Sequence, residues 1–213
     1  MTIASLDLAA MLCSRLCHDL LSPVGALSNG LELLADEKDP EMRQRCFELL
    51  EQSAKTSADK LRFFRLAFGA GGGFGEAVAM HEPRAVIDAL VGNNGRIAVS
   101  WSLASDSMPK PAVKVLLNLA MIGIEALVRG GTLDIVAETR DNISEIVIRA
   151  SGARIAFDPA VGQALDGTLP TEALSAKTAP AYMIEQLVTG FGGGLQTQVS
   201  PEQLVMGAVL PAA

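Results

Sequence analysis

Two amphipathic helical segments of nearly equal length begin this 213-residue chain, and they constrain its fold more than any other feature. Over residues 6–35, leucines recur at the spacing of a single helix face: Leu8, Leu12, Leu16, Leu20, Leu27, Leu31 and Leu34. A second helix is predicted from Glu41 to Phe68, and residues 36–40 form a polar turn that ends in proline. The pattern predicts an antiparallel helical hairpin over residues 1–70.

An isolated hairpin of this kind leaves apolar side chains of both helices in contact with water. Pairing with a second copy into a four-helix bundle would bury those side chains, so we expect a homodimer. Docking of the hairpin onto the rest of its own chain is the alternative.

The remainder of the chain follows a glycine-rich run, and we expect a linker over residues 71–79. The run lacks the Gly-Lys-Ser/Thr ending of a phosphate-binding loop, and it follows a helix rather than a strand. Residues 80–213 then alternate between predicted helices (83–91, 111–128, 180–189) and predicted strands (96–103, 133–139, 143–150, 195–199, 204–210). This order predicts an α/β sandwich with a mostly antiparallel sheet, which makes the whole chain α+β.

Charge and hydropathy argue against nucleic-acid binding and against a membrane span. The formal net charge of −7 argues against nucleic acid, because phosphate backbones require a basic surface. The longest apolar region, Val113 to Val128, is interrupted by Lys114, Asn118 and Glu125, so we expect no membrane span.

The cysteines and the N-terminal residues favour a cytoplasmic protein. Three cysteines, Cys13, Cys17 and Cys46, fit reduced thiols better than a disulfide framework. The start of the chain lacks the basic stretch and cleavage site of a signal peptide. No metal site is expected, because zinc needs about four ligands and His81 is the only histidine besides His18.

The reactive chemistry lies in the first helix, in the segment Cys17-His18-Asp19-Leu20-Leu21-Ser22-Pro23. A proline inside a helix removes a backbone hydrogen bond and costs about 3 kcal/mol, so we expect Pro23 to bend the helix just past His18. The helix face opposite the leucines is small and polar: Ser14, His18, Ser22, Gly25, Asn29 and Glu32. An exposed histidine changes charge near neutral pH and can act as a nucleophile.

This segment resembles the phosphoacceptor box of two-component histidine kinases, in which histidine and an acid are followed by three residues and proline. Residues 80–213 resemble the ATP-binding domain of the same kinases. There an N-L-x-x-N-A helix uses its second asparagine for magnesium and phosphate, but the matching stretch here, Asn118 to Gly123, has Ile122 at that position. An aliphatic side chain cannot ligate a hard cation. The adenine-binding D-x-G-x-G loop is matched by residues 150–154, which lack the aspartate, so we expect no ATP binding.

A complete histidine box on a hairpin, followed by a degenerate nucleotide domain, resembles the ChpT-type histidine phosphotransferases. The resemblance is most specific over residues 16–19 and 22–26, and it continues at 28–31 and 64–69. It implies that His18 accepts a phosphoryl group and relays it between response-regulator receiver domains, from a hybrid kinase donor to downstream regulators. It also implies that Mg²⁺ comes from the receiver rather than from this chain.

Residues around His18 are expected to orient it or to contact the partner. Asp19 is expected to accept a hydrogen bond from one ring nitrogen, which would fix the tautomer and make the other nitrogen more nucleophilic. A solvated acid is the alternative for Asp19. The residues predicted to meet the partner are Arg15, Ser22, Gly25, Asn29, Arg62 and Arg65. Ion pairs or solvated charges are the alternative for the arginines.

Three other interpretations stay open at this point. A non-catalytic receiver-docking protein, either a scaffold or a kinase inhibitor, would keep its function after His18→Ala. A working histidine kinase would label itself from ATP alone. The third is an α/β domain with a fortuitous His-Asp pair.

Overall fold

The computed structural model describes residues 3–69, 76–92 and 95–211. Two long helices, α1 (Ser5–Asp36) and α2 (Pro40–Phe68), form the expected antiparallel hairpin. The turn ends on Asp39, whose carboxylate accepts a hydrogen bond from the backbone N–H of Glu41, while Pro40 occupies the first turn of α2. Arg43 then donates to the backbone carbonyl of Glu37, which ties the turn to the second helix.

The side of α1 that faces α2 agrees with the predicted leucine stripe except at one position. Pro23 and Gly30 are buried, and a Cβ on Gly30 would lie 2.9 Å from Leu50 Cδ2 of α2. The stripe predicts that Leu31 is buried, but it is 59% exposed. The physical reason is that successive helical residues are turned by about 100°, so Leu31 points away from the seam that Gly30 occupies.

The second part of the chain is an α/β sandwich. Its elements are β1 (Ala77–Ala79), α3 (His81–Gly92), β2 (Ile97–Leu103), β3 (Ser107–Pro109), α4 (Lys110–Ala126), β4 (Gly131–Arg140), β5 (Ile143–Ser151), α5 (Pro159–Leu165), a short 3₁₀ helix (Thr171–Ala173), α6 (Ala179–Gly190), β6 (Gly194–Val199) and β7 (Gln203–Pro211). Five strands form one sheet in the order β2-β4-β5-β7-β6. Only the β2–β4 pair in this sheet is parallel, which confirms the mostly antiparallel prediction.

Four short elements, among them the 3₁₀ helix Thr171–Ala173, were not predicted from the sequence. Strands β1 and β3 form a separate antiparallel pair, and α5 is only seven residues long. Such short segments contain too few residues for a periodic pattern. Part of the predicted linker, residues 71–75, lies outside the described residues, whereas its last three residues form β1.

Helix α4 is the centre of the core. It packs against the sheet on one side and against α2 and α6 on the others, so most of its side chains are buried. A Cβ on Gly123 would lie 2.7 Å from Leu133 Cδ1, which shows how closely the helix approaches the sheet. Phe63 and Phe64 of α2 belong to the same core cluster. The hairpin is therefore anchored on its own chain at this end.

The hairpin has exposed apolar side chains along its length that the second domain does not cover. Leu21, Val24 and Leu31 on α1, and Phe47 and Leu61 on α2, are all exposed. Intrachain docking, the alternative to dimerisation, therefore accounts for only one end of the hairpin. Within the part of the chain that is described, no helix is both long enough and apolar enough to cross a membrane.

Candidate functional site around His18

His18 lies in the middle of α1, and 82% of its side-chain surface is exposed. Ser14, Ser22 and Asn29 on the same helix face are exposed as well. Gly25 has no side chain, and apart from its own stretch of helix nothing lies within 4 Å of where a Cβ would be, so the face is open at this position. The predicted exposed polar face is present, and a large partner can approach the imidazole of His18 across it.

The Asp19 carboxylate lies beside the imidazole. Its Oδ1 is 3.3 Å from His18 Nδ1, just beyond the usual range for a hydrogen bond, and its side chain is only 19% exposed. A proton on Nδ1 is favoured by this carboxylate, and the lone pair of Nε2 is then available for attack on an electrophile. The Asp19 carboxylate therefore lies next to the imidazole and is largely shielded from solvent, and its expected role in orienting His18 stays a prediction.

Arg15 holds the other oxygen of the Asp19 carboxylate. Its Nε donates to Asp19 Oδ2 at 2.8 Å, and its Nη2 donates to Glu125 Oε1 on α4. Burial alone would lower the pKa of Arg15, but the carboxylates of Glu125 and Asp19 outweigh burial and raise that pKa above the ordinary arginine value. Only 15% of the Arg15 side chain is exposed, so the ion-pair alternative for this residue is the one found.

A third contact reaches Asp19 from the second helix of the hairpin. Lys60 of α2 donates from Nζ to the backbone carbonyl oxygen of Asp19 at 2.7 Å. Asp19 is therefore held through its carboxylate by Arg15 and through its backbone by Lys60.

A cavity of about 250 Å³ lies between the hairpin and the second domain, next to these ion pairs. Its walls include Arg15 and Asp19 from α1, three phenylalanines from α2, and Ile122 and Glu125 from α4. The rings of Phe64 and Phe68 stack there with centroids 5.7 Å apart. This volume is below the roughly 300–1,000 Å³ of typical small-molecule sites.

An ion pair closes one side of the cavity. Lys177 Nζ lies 2.7 Å from Asp158 Oδ2, and the Asp158 carboxylate also accepts a hydrogen bond from the backbone N–H of Ala160. The hydrogen bond from Lys177, followed by that from Ala160, lowers the pKa of Asp158 below its ordinary value. The charge of Lys177 is therefore balanced by the Asp158 carboxylate of the same domain.

The geometry agrees with what comparison with known proteins finds. The family model for the histidine phosphotransferase C-terminal domain matches residues 80–203. Protein phosphotransferase ChpT of Brucella abortus (strain 2308) is 34% identical over 207 residues, which are 97% of this chain and 97% of that protein. The chain belongs to the histidine phosphotransferase family. The solved structure described as a 1.7 Å structure of a bacterial phosphotransferase is 32% identical, covers 98% of both chains and superposes with a TM-score of 0.86.

The remaining residues predicted to meet a partner of this phosphotransferase lie on α2. Arg62 and Arg65 are both exposed in the last part of the helix. Arg62 lies 3.5 Å from the buried carboxylate of Asp59. Their proposed contact with a partner stays a prediction.

Sequence reasoning missed two residues of the phosphotransferase site, Glu125 and Lys60. Glu125 is 110 residues from Arg15, so no local pattern connects the two. Lys60 did have a signal, because a proline four residues after Asp19 leaves one carbonyl without its helical donor.

Proposed function

We propose that this member of the histidine phosphotransferase family carries a phosphoryl group on His18 Nε2 and relays it between receiver-domain aspartates. The observation that supports this most is the exposed imidazole whose Nδ1 faces the Asp19 carboxylate. The small polar face around it, with Ser22, Gly25 and Asn29, leaves room for a folded partner.

In the first step, Nε2 attacks the phosphorus of a receiver phosphoaspartate in line with the bond that breaks. The new N–P bond forms as the P–O bond breaks, and the receiver aspartate leaves as a carboxylate. The proton on Nδ1 stays there, next to Asp19, and the carboxylate stabilises the cationic ring. In the second step, a carboxylate of another receiver attacks the same phosphorus and regenerates neutral His18. Such transfers depend mainly on positioning and charge neutralisation.

We assign the magnesium ion to the receiver. Across residues 3–69, 76–92 and 95–211, no group of three or more His, Cys, Asp or Glu side chains is placed to hold a metal ion. In this proposal the charge neutralisation that Mg²⁺ provides in phosphoryl transfer comes from the partner's side.

We also propose that the second domain does not use ATP. Ile122 lines the cavity at the position where the kinases have an asparagine, and Phe63, Phe64 and Phe68 of the hairpin line the opposite wall. Ile122 supplies no oxygen ligand for a magnesium–phosphate complex at that position, and the Asp19, Glu125 and Asp158 carboxylates that line the cavity are engaged in ion pairs. The three free cysteines are compatible with a reducing compartment, and we retain the cytoplasm as the proposed location.

The experiment that tests the relay starts from a radiolabelled phospho-receiver and compares wild type with His18→Ala. Label on wild type but not on His18→Ala is the expected result. His81→Ala is the matched control, because it removes the only other histidine and leaves transfer unchanged. Labelling from ATP alone would mean that the second domain is a kinase. Receiver binding without label on wild type would mean that the protein only docks its partner.

We propose further that the protein is a homodimer formed through the exposed apolar side chains of the hairpin. These side chains, Leu21, Val24, Leu31, Phe47 and Leu61, are the ones that a four-helix bundle would bury. Val24→Glu places a charge in this face and is expected to give a monomer in light scattering coupled to size-exclusion chromatography. Asn29→Glu, on the polar face of the same helix, should stay dimeric. A monomeric wild type would contradict the proposal.

A further inference from the structure

One backbone group beside His18 lacks its usual partner. In an α-helix each carbonyl accepts a hydrogen bond from the N–H four residues later. For Asp19 that residue is Pro23, which has no N–H, although α1 continues through this position as one helix. The Asp19 carbonyl therefore lacks the N–H donor that a regular helix would supply.

Lys60 supplies a donor in its place. Its Nζ lies 2.7 Å from the Asp19 carbonyl oxygen, so a cationic donor from α2 replaces the missing N–H. Pro23 is buried against the same side of the hairpin, and Lys60 is half-buried. Loss of Lys60 would therefore leave the carbonyl without this donor in a partly buried part of the hairpin.

We infer that Lys60 is a positioning residue for phosphoryl transfer, because it replaces the N–H that Pro23 lacks and holds the helical turn carrying His18 and Asp19. The inference rests on the proposed relay through His18. Asp19 carries the carboxylate that faces His18 Nδ1, so a shift of its backbone moves that carboxylate away from the ring. Small displacements of a nucleophile from its in-line position slow transfer strongly.

The test is a double-mutant cycle between Lys60 and Pro23, read as the rate of transfer from a labelled phospho-receiver. In the otherwise wild-type protein, Lys60→Met is expected to lower the maximal rate about tenfold, the effect of one lost hydrogen bond to a charged group. In Pro23→Ala, the new N–H of residue 23 can donate to the Asp19 carbonyl. Lys60→Met should then change the rate by less than about twofold, which is the non-additivity expected of residues that share one partner.

Further readouts separate positioning from partner binding. The receiver concentration that gives half-maximal rate should stay the same in Lys60→Met, and Lys60→Arg should restore the rate because it keeps a cationic donor. Lys55→Met is the matched control, since it removes an exposed lysine from the same helix and should leave the rate unchanged. If Lys60→Met does not fold, Lys60→Gln, with a neutral donor, takes its place in the cycle.

Two outcomes would overturn the inference. An equal loss from Lys60→Met with and without Pro23→Ala would mean that Lys60 acts on the phosphoryl group or the receiver directly. No loss in either case would mean that the carbonyl contact has no effect on transfer. A wild type that takes no label at His18 would instead refute the proposed relay, so failures of the two proposals can be told apart.

Discussion

Asp19 is held from three directions, and each contact comes from a different helix or a different turn. Its carboxylate lies beside His18 Nδ1 and accepts a hydrogen bond from Arg15, while its carbonyl accepts one from Lys60. A side chain fixed in this way loses little rotamer freedom when the reaction begins. In the proposed relay, this restraint on Asp19 is what orients the exposed imidazole of His18 for attack.

Replacing this carboxylate by an amide tests its role. Asp19→Asn is expected to lower the transfer rate about ten- to a hundredfold, the range for a hydrogen bond between charged groups. The loss arises because a neutral amide no longer stabilises the cationic ring of the phosphohistidine. The measurement is label transfer at saturating phospho-receiver.

Asp36→Asn provides the control for charge, because Asp36 is an exposed acid at the C-terminal end of the same helix. Its transfer rate should equal that of wild type. An Asp19→Asn variant as fast as wild type would mean that the carboxylate is a bystander.

Among the individual helices, α5 shows most directly how a short element persists. It has only seven residues, too few for a stable isolated helix, so its ends and its packing determine whether it forms. Asp158 caps it by accepting from the backbone N–H of Ala160, and the same carboxylate pairs with Lys177. Its own side chains Val161, Ala164 and Leu165 are buried.

Removal of this cap should destabilise the second domain in a pH-dependent manner. Asp158→Ala is expected to lower the free energy of unfolding by about 1–2 kcal/mol near neutral pH. The pKa of Asp158 is lower in the folded protein than in the unfolded chain, so its charge stabilises the fold above the ordinary aspartate pKa. That contribution is lost as the pH falls from about 4 through the lowered folded value.

Chemical denaturation at several pH values measures this effect. The difference between wild type and Asp158→Ala should shrink as the medium becomes acidic. Asp166→Ala, at the other end of α5, should be close to neutral in stability, because its side chain is exposed. A pH-independent difference for Asp158→Ala would indicate that the charge on Asp158, whether through Lys177 or through the cap, contributes nothing to stability.

Taken as one molecule, the hairpin and the second domain are joined by apolar packing and by an ion pair. Phe63 and Phe64 of α2 enter the core of the second domain, and Arg15 of α1 reaches Glu125 of α4. Through Arg15, the second domain restrains the Asp19 carboxylate and thereby the site itself. The second domain therefore has a structural role next to His18. This role is one physical reason for the chain to keep a domain whose cavity has Ile122 in place of the kinases' asparagine.

Weakening that ion pair should affect both stability and transfer. Glu125→Gln leaves the largely buried Arg15 with one carboxylate, so the melting temperature is expected to fall by about 2–4 °C for a loss near 1 kcal/mol. The transfer rate should fall as well, and the combination with Asp19→Asn should cost less than the sum of the two, because both act through Arg15.

Glu145→Gln, on the exposed face of the sheet, is the matched control and should change neither quantity. A Glu125→Gln variant that melts earlier but transfers phosphate at the normal rate would show that this ion pair is only structural.

Local periodicity was sufficient to predict the hairpin, the main helices and strands of the second domain, and the exposure of His18. These features depend on residues that are close together in the chain, where the geometry of helix and strand decides which side chains share a face. The contacts of Lys60 with Asp19 and of Glu125 with Arg15, by contrast, depend on tertiary packing. Lys60 and Glu125 lie 41 and 110 residues from their partners, and only the folded arrangement of α1, α2 and α4 brings them together. The position and exposure of His18 were therefore determined by sequence, whereas the restraint on its neighbour Asp19 was determined by the tertiary structure, because contacts between distant segments leave no periodic pattern in the chain.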